Sequence, residues 1–192
     1  MTQSVTDACN SALQKVGASR ILSINDSTVE ALACAVAFDS NRRDELRKHV
    51  WKFATKRAQL APDVTAPLFD DTYAFSLPAD CLRIIFPADP DLDWKLEGRK
   101  IITSYGSGNG TVLNLRYVAD ITDCTQWDSS FYNVFAISLA LDLVEVLTQS
   151  TGKKSALAYD YRDAVMQARA ADAFETMPQQ SADSSWLTVR TR

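Results

Sequence analysis

The fold is decided by a stretch that joins two strand-like runs through a proline corner, Tyr73-Ala74-Phe75-Ser76-Leu77-Pro78-Ala79-Asp80-Cys81-Leu82-Arg83. The large apolar residues at 73, 75 and 77 alternate with smaller ones, which is the period of a strand with one buried face. Pro78 cannot extend a helix and donates no backbone hydrogen bond, so it favours a turn between the runs. Residues 81–86 are apolar on both faces except at Arg83, which predicts a second, more deeply buried strand.

Further strand signals follow and include a hairpin. Residues 92–96 and 99–103 flank Glu97-Gly98, a two-residue turn signal in which Gly98 supplies the positive φ. A last strand is predicted over residues 111–118, after a glycine-rich loop. Together these runs predict one antiparallel sheet of short strands.

Helical periodicity marks both ends of the chain. A first helix is predicted over residues 5–16 with Gly17 ending it, and a second over 28–49, where Ser27 and Glu30 have the spacing of a capping box. Because residues 31–38 are apolar nearly all round, this half of the second helix is expected to be buried.

Two more helices are predicted after Asp123. The first reaches about residue 149, and the second covers residues 153–177. The connection between them is short, so they should pack antiparallel.

Helices at both ends with strands between them predict an α+β fold. Residues 1–50 and 123–177 are expected to form one antiparallel helical bundle, and residues 51–122 an inserted, small antiparallel β-sheet region. Residues 178–192 are expected to form an extended C-terminal docking tail, because a polar spacer separates the apolar residues Trp186, Leu187 and Val189 from the last helix. The alternative is that these residues add a strand to the chain's own sheet.

Composition limits the possible functions. With 192 residues, 46% of them hydrophobic, the chain can bury a sizeable core, and its net charge of −4 argues against a protein that coats nucleic acid. Neither a leader pattern nor a run of about 18 apolar residues is present, so neither export nor membrane contact is expected. Cys9, Cys34, Cys81 and Cys124 are too scattered for structural zinc and are predicted to be small buried hydrophobes.

Candidate chemistry is weak, so neither an enzyme nor a cofactor or metal is predicted. His49 is the only histidine and lies among cations at a helix end, where a surface or interface role is the simpler reading. Asp89, Asp91 and Asp93 have alternate spacing but lack the glycine and glutamate of a calcium loop. The glycine-rich loop lacks the Gly-Lys-Ser/Thr and the following helix of a phosphate site.

Residues 42–57 carry a concentration of positive charge against only Asp44 and Glu45. Such a segment could bind DNA phosphates, and Arg43 and Arg47 would share one helix face at a spacing of four residues. Pairing within the chain, with the aspartate-rich segment that follows, is equally consistent. A third possibility is contact with acidic turns of a neighbouring subunit in a ring. The cations are Arg42, Arg43, Arg47, Lys48, Lys52, Lys56 and Arg57.

Several short motifs accompany the corner in a recognisable order. They are Cys9-Asn10-x-Ala12-Leu13-x-Lys15-Val16-Gly17, Arg42-Arg43-Asp44-Glu45-Leu46-Arg47, Trp51-Lys52-Phe53-Ala54, Arg57-Ala58-Gln59-Leu60 and Ala168-Arg169-x-x-Asp172-Ala173-x-Glu175. With these motifs the chain resembles the tail tubular protein A family, the head-to-tail adaptor of short-tailed bacteriophages (podoviruses).

The resemblance implies a virion structural protein, assembled in the host cytoplasm, that forms a dodecameric ring between the portal and the tail nozzle protein (tail tubular protein B). Double-stranded DNA would pass through the ring unread during ejection, and a tail fibre or spike could attach at its side. The resemblance further implies that Trp186, Leu187 and Val189 bind the portal and that Arg42, Arg43 and Arg47 contact subunits or the portal. Residues 87–110 match no family motif and are where partner specificity is expected. A DNA-binding accessory protein acting through residues 42–57 is the alternative.

Overall fold

The computed structural model describes residues 3–87, 92–104 and 112–175. It confirms the predicted α+β fold, with four helices and six strands in the described part. In chain order the elements are α1 (Val5–Val16), α2 (Val29–Lys48), β1 (Thr55–Leu60), β2 (Tyr73–Ser76), β3 (Cys81–Pro87), β4 (Lys95–Glu97), β5 (Lys100–Thr103), β6 (Leu113–Ala119), a 3-10 turn (Cys124–Gln126), α3 (Ser129–Thr148) and α4 (Thr151–Phe174).

Helix α1 ends where its sequence predicts. Gly17 adopts the left-handed conformation with φ 79°, and its N–H donates to carbonyls of the last turn. Lys153 of α4 donates from Nζ to the Val16 carbonyl at 2.9 Å, so a cation from another helix also caps this helix end.

The start of α2 differs by one residue from its prediction. Thr28, not Ser27, is the cap, and its Oγ1 accepts from the Ala31 N–H at 3.3 Å. Adjacent hydroxyl residues are nearly equivalent as caps, so the capping-box spacing selected the wrong one.

Helix α3 is the centre of the helical part, because α1, α2 and α4 all pack on it. By length and composition alone α3 could cross a membrane. Because three helices pack on α3, its apolar composition is that of a core helix. Helix α4 begins two residues earlier than predicted, with Ser150 as its cap, and the predicted end at residue 177 lies outside the described residues.

The prediction that the first half of α2 is buried all round is wrong. Ala31, Cys34 and Phe38 are buried, whereas Leu32 and Val36 are 57% and 84% exposed. The described residues cover α2 on a single face, so its apolar residues on the opposite face are exposed.

The strands form two antiparallel sheets, not the single sheet expected. One has the order β1-β6-β3 and the other β2-β5-β4. The proline corner is therefore the point at which the chain leaves one sheet and enters the other. Arg99 stabilises it by donating from Nη2 to the carbonyls of Pro78 (2.6 Å) and Ala79 (3.2 Å).

Strand β3 is an edge strand and is not deeply buried as predicted. Its central residues are half-buried or exposed, and two register irregularities interrupt its pairing with β6. Such irregularities twist an edge away from further pairing. The buried central strand is β6, which pairs with both β1 and β3.

The hairpin between β4 and β5 turns one residue later than predicted. Glu97 pairs with Lys100, which leaves Gly98 and Arg99 as the two turn residues. Gly98 has the expected positive φ, 59°.

An aromatic cluster joins the helices to the start of the sheet region and explains the Trp-x-Phe motif. Trp51 and Phe53 both pack on Phe131 of α3, at ring distances of 5.2 and 5.0 Å. Trp127 stacks on Phe38 of α2. All four cysteines are free and buried, as predicted.

Candidate interaction surface

The two adjacent arginines of α2 converge on one carboxylate at the end of β6. Arg42 donates from Nε to Asp120 Oδ1 at 3.0 Å, and Arg43 donates from Nε to Asp120 Oδ2 at 3.0 Å. The Arg42 side chain is 5% exposed and also pairs with Asp39, whereas Arg43 is 60% exposed. The pair thus ties α2 to the sheet, with Arg42 inside the chain and Arg43 at its surface.

Arg47 lies one turn further along the same exposed face as Arg43. Its guanidinium donates to the Leu82 carbonyl, and Arg83 of β3 donates back to the Arg47 carbonyl at 3.3 Å. Of the three arginines with predicted partner contacts, Arg43 and Arg47 are therefore on the surface and Arg42 is not. Their contact with another chain stays a prediction.

Glu45 is a buried carboxylate that connects three helices. Its Oε1 accepts from Ser138 Oγ of α3 at 2.6 Å, from Lys48 Nζ at 2.8 Å and from the Tyr161 hydroxyl of α4 at 3.0 Å. Burial and then the Glu45 charge raise the pKa of Tyr161. This network was not predicted, although Glu45 is in helical phase with the buried Phe38 and Arg42.

Most cations of segment 42–57 have partners within the chain. Besides the α2 arginines, Lys48 pairs with Asp44 as well as Glu45, and Lys56 pairs with Asp80 at 2.9 Å. Only Asp80 comes from the aspartate-rich segment expected to supply the partners. Within the described ranges, Lys52 and Arg57 have no ion pair through their side chains, and both are exposed.

Asp80 has a structural role at the corner. Burial raises its pKa, but hydrogen bonds from Lys56 and the Tyr117 hydroxyl outweigh that effect and lower the pKa overall. The same pairing, after burial, raises the pKa of Tyr117 to about 12. Asp80 therefore joins β1, the corner and β6.

His49 is a helix-end residue in contact with α4. Its Nε2 lies 3.2 Å from Asp172 Oδ2, and its ring packs edge-on against Trp51. Asp172 also accepts from the Lys52 backbone N–H at 2.9 Å. The Asp172 of the C-terminal motif thus fixes the chain as it leaves α2.

Asn10 has a similar structural role in the N-terminal motif. Its Oδ1 accepts from the Ile21 N–H at 2.8 Å, and its Nδ2 donates to the Ile21 carbonyl at 3.0 Å. This two-bond clamp holds the connection between α1 and α2 with Ile21 buried.

Several predicted site residues cannot be placed. Asp89, Asp91, the glycine-rich loop and the tail with Trp186, Leu187 and Val189 lie outside the described residues. In the described part, no group of three or more His, Cys, Asp or Glu side chains could hold a metal ion.

Three groups of exposed apolar residues were not predicted from the sequence. On α2 they are Val29, Leu32 and Val36; on α4 they are Tyr159, Met166 and Phe174; and the loop between β1 and β2 exposes Val64, Leu68 and Phe69. Apolar groups of this kind mark contacts with other molecules when they are contiguous. The signal was present in the sequence as the all-round apolar character of α2.

A comparison with models of known protein families identifies the family of this chain. The model of the family described as "Tail tubular protein" matches residues 6–111, which cover α1, α2 and the first five strands. The chain belongs to the tail tubular protein family. A search of curated proteins finds no match.

Family membership makes this chain a structural component of a bacteriophage virion, placed in the tail and assembled with other tail components. Such a family is not typically enzymatic. The four motifs within the match have structural explanations: the Asn10 clamp, the α2 ion pairs, the Trp51 cluster and the pairing of β1 with β6.

Proposed function

We propose that this tail tubular protein is the head-to-tail adaptor, a dodecameric ring between the portal and the tail nozzle that gives DNA a channel during ejection. The family match over residues 6–111 carries the proposal. A net charge of −4 suits a lumen that DNA must pass without being held by its phosphates.

Each subunit of the proposed ring has three regions. Residues 1–50 and 123–177 form the helical bundle, residues 51–122 the β-rich insertion, and residues 178–192 the docking tail. In support, helices from both ends of the chain meet on α3, and the two sheets lie between them in sequence. Residues 87–110 give specificity for the nozzle protein or for a tail fibre.

Trp186, Leu187 and Val189 are the proposed portal anchor. Arg43 and Arg47 contact a neighbouring subunit or the portal directly, because both are exposed on one face of α2. Arg42 acts from inside, where it holds Asp120 and thereby positions Arg43.

A DNA-binding accessory protein has less support. The cations Arg42, Arg43, Lys48 and Lys56 are already paired with carboxylates of the same chain. Phosphate binding by these residues would have to break those pairs, and burial keeps Arg42 from reaching a phosphate at all.

The test is the mass of the chain by size exclusion with light scattering, alone and mixed with the portal ring of the same genome. The full chain should add a complete ring of subunits to the portal, and a chain lacking residues 179–192 should not. A full-length chain with Trp186→Ala, Leu187→Ala and Val189→Ala is the control. It shows whether binding requires these three side chains or only a tail of full length.

No association with an intact portal ring would contradict the adaptor function. The next measurement would then be binding to double-stranded DNA over a salt series. Affinity that falls steeply with salt and depends on Lys52 and Arg57, two exposed cations of this segment with no side-chain ion pair in the described ranges, would favour the accessory protein instead.

A further inference from the structure

The outer face of α2 is apolar where a surface helix should be polar. Val29, Leu32 and Val36 recur at helical spacing and are 67%, 57% and 84% exposed. Arg43 and Arg47 continue this face toward the end of the helix. We call these five residues the α2 outer stripe. Its apolar half has the residue types of a buried helix face but is exposed to solvent.

Helix α4 carries a matching face. One set of its exposed residues recurs at spacings of three or four, as in a helix-packing seam. They are Ala156, Tyr159, Asp163, Met166, Ala170 and Phe174, which we call the α4 outer stripe. Charged residues flank it, with Asp160 on one side and Arg162 and Arg169 on the other. Apart from Asp163 the stripe has no charged residue, and an apolar strip with a charged rim is the usual anatomy of a protein interface.

Neither stripe can cover the other within one chain. Both helices pack their inner faces on α3, so their outer stripes point away from the bundle. Among the described residues, therefore, neither stripe has a packing partner in its own chain.

We propose that the α2 outer stripe of one copy packs antiparallel on the α4 outer stripe of the next copy. The proposal rests on the ring assembly proposed above and identifies the surfaces that build it. Because the two stripes differ, the contact is heterologous and leaves one stripe free at each end. Repetition of the contact closes a ring when the rotation between copies divides a full turn, as the proposed dodecamer requires.

The two stripes are the same length. Val29 to Arg47 and Ala156 to Phe174 each span about 27 Å at the rise of an α-helix. A full-length overlap therefore leaves no apolar residue of either stripe uncovered.

Charge selects the antiparallel direction. In that direction Val29 and Val36 face the half of α4 with Met166 and Phe174. Arg43 faces the half that contains Tyr159 and in which Asp160 and Asp163 outnumber Arg162. Arg43 then meets an aromatic ring and a carboxylate, which both attract a guanidinium. A parallel arrangement would instead bring Arg43 and Arg47 toward Arg169.

Engineered cysteines test the contact in the assembled ring. All native cysteines are buried, so a cysteine at an exposed position is the accessible thiol. Chains with Val36→Cys and chains with Met166→Cys are mixed on the portal ring and treated with a short bis-maleimide. We expect a covalent dimer in the mixture and in neither chain alone, and a ladder of higher species from the double variant.

A second pair of mixtures tests direction. Val29→Cys should crosslink with Phe174→Cys if the helices are antiparallel, and with Ala156→Cys if they are parallel. Leu22→Cys, 95% exposed but outside both stripes, is the matched control and should give no dimer with either partner.

The outcomes separate this inference from the adaptor function. If light scattering shows a ring on the portal but Val36→Cys and Met166→Cys do not crosslink, the interface is wrong and the adaptor function stands. A dimer from Val36→Cys alone would mean a two-fold contact between α2 helices and would also overturn the inference. Absence of any ring removes both proposals.

Discussion

Phe38 and Val36 lie two residues apart on α2 and have opposite environments. Phe38 is 4% exposed and its ring packs against those of Trp127 and Phe135, whereas Val36 is 84% exposed and contacts solvent. The inner face of α2, which also carries Arg42 and Glu45, finds its partners within the chain. Among the described residues the outer face has no such partners, so this helix is packed on one side and exposed on the other.

The largest effect expected from this difference is on Phe38. Phe38→Ala should lower the free energy of unfolding by about 3–5 kcal/mol, because it leaves a cavity in the aromatic cluster beside α3. Urea denaturation of the isolated chain, followed by tryptophan fluorescence, measures the change. A loss below about 1 kcal/mol, the range of volume-conserving swaps, would mean that the inner face is not tightly packed.

The polar residues of the inner face come next. Glu45→Gln should lower the free energy of unfolding by about 1.5–3 kcal/mol, because hydrogen bonds to a charged acceptor become neutral ones. Tyr161→Phe removes a single donor to the same carboxylate and should cost about 1 kcal/mol. If the two variants were equally destabilised, Lys48 and Ser138 would contribute nothing through Glu45.

Arg42 and Arg43 provide a matched pair, since both bind Asp120 and they differ in burial. Arg42→Met should cost about 2 kcal/mol through the loss of buried charged hydrogen bonds, and Arg43→Met less than about 1 kcal/mol, as for exposed ion pairs. Denaturation at low and high salt sharpens the test, because screening reduces exposed pairs more than buried ones. Equal losses would contradict the assignment of Arg42 to the inner face.

Local patterns predicted the elements well, and the reason is physical. The helix ends at Gly17 and the turn at Gly98 depend on backbone conformations that the residue itself selects. The exposure of Arg43 and Arg47 follows from their shared helix face. Helical periodicity also places Arg42 on the inner face, because it lies four residues from both Phe38 and Leu46.

What the sequence did not predict depends on contacts between distant residues. Strand β6 pairs with β1 and β3 across long stretches of chain, and no local period distinguishes that arrangement from one continuous sheet. The expected burial of Leu32 and Val36 failed for a different reason. Periodicity reports that a residue needs an apolar partner, and it does not say whether the partner belongs to the same chain.

The smallest effect on stability is expected on the outer face. There, substitutions should affect ring assembly much more than the free energy of unfolding. Val36→Ser should change the free energy of unfolding of the isolated chain by no more than about 0.5 kcal/mol, because an exposed side chain loses few contacts. In the portal-bound ring the same substitution should weaken assembly, whereas Leu22→Ser, equally apolar and exposed, should not. Denaturation of the free chain and light scattering of the portal mixture measure the two quantities on one set of samples. A Val36→Ser chain that unfolds normally and still completes the ring as readily as the Leu22→Ser control would show that the outer stripe of α2 is exposed for some other partner.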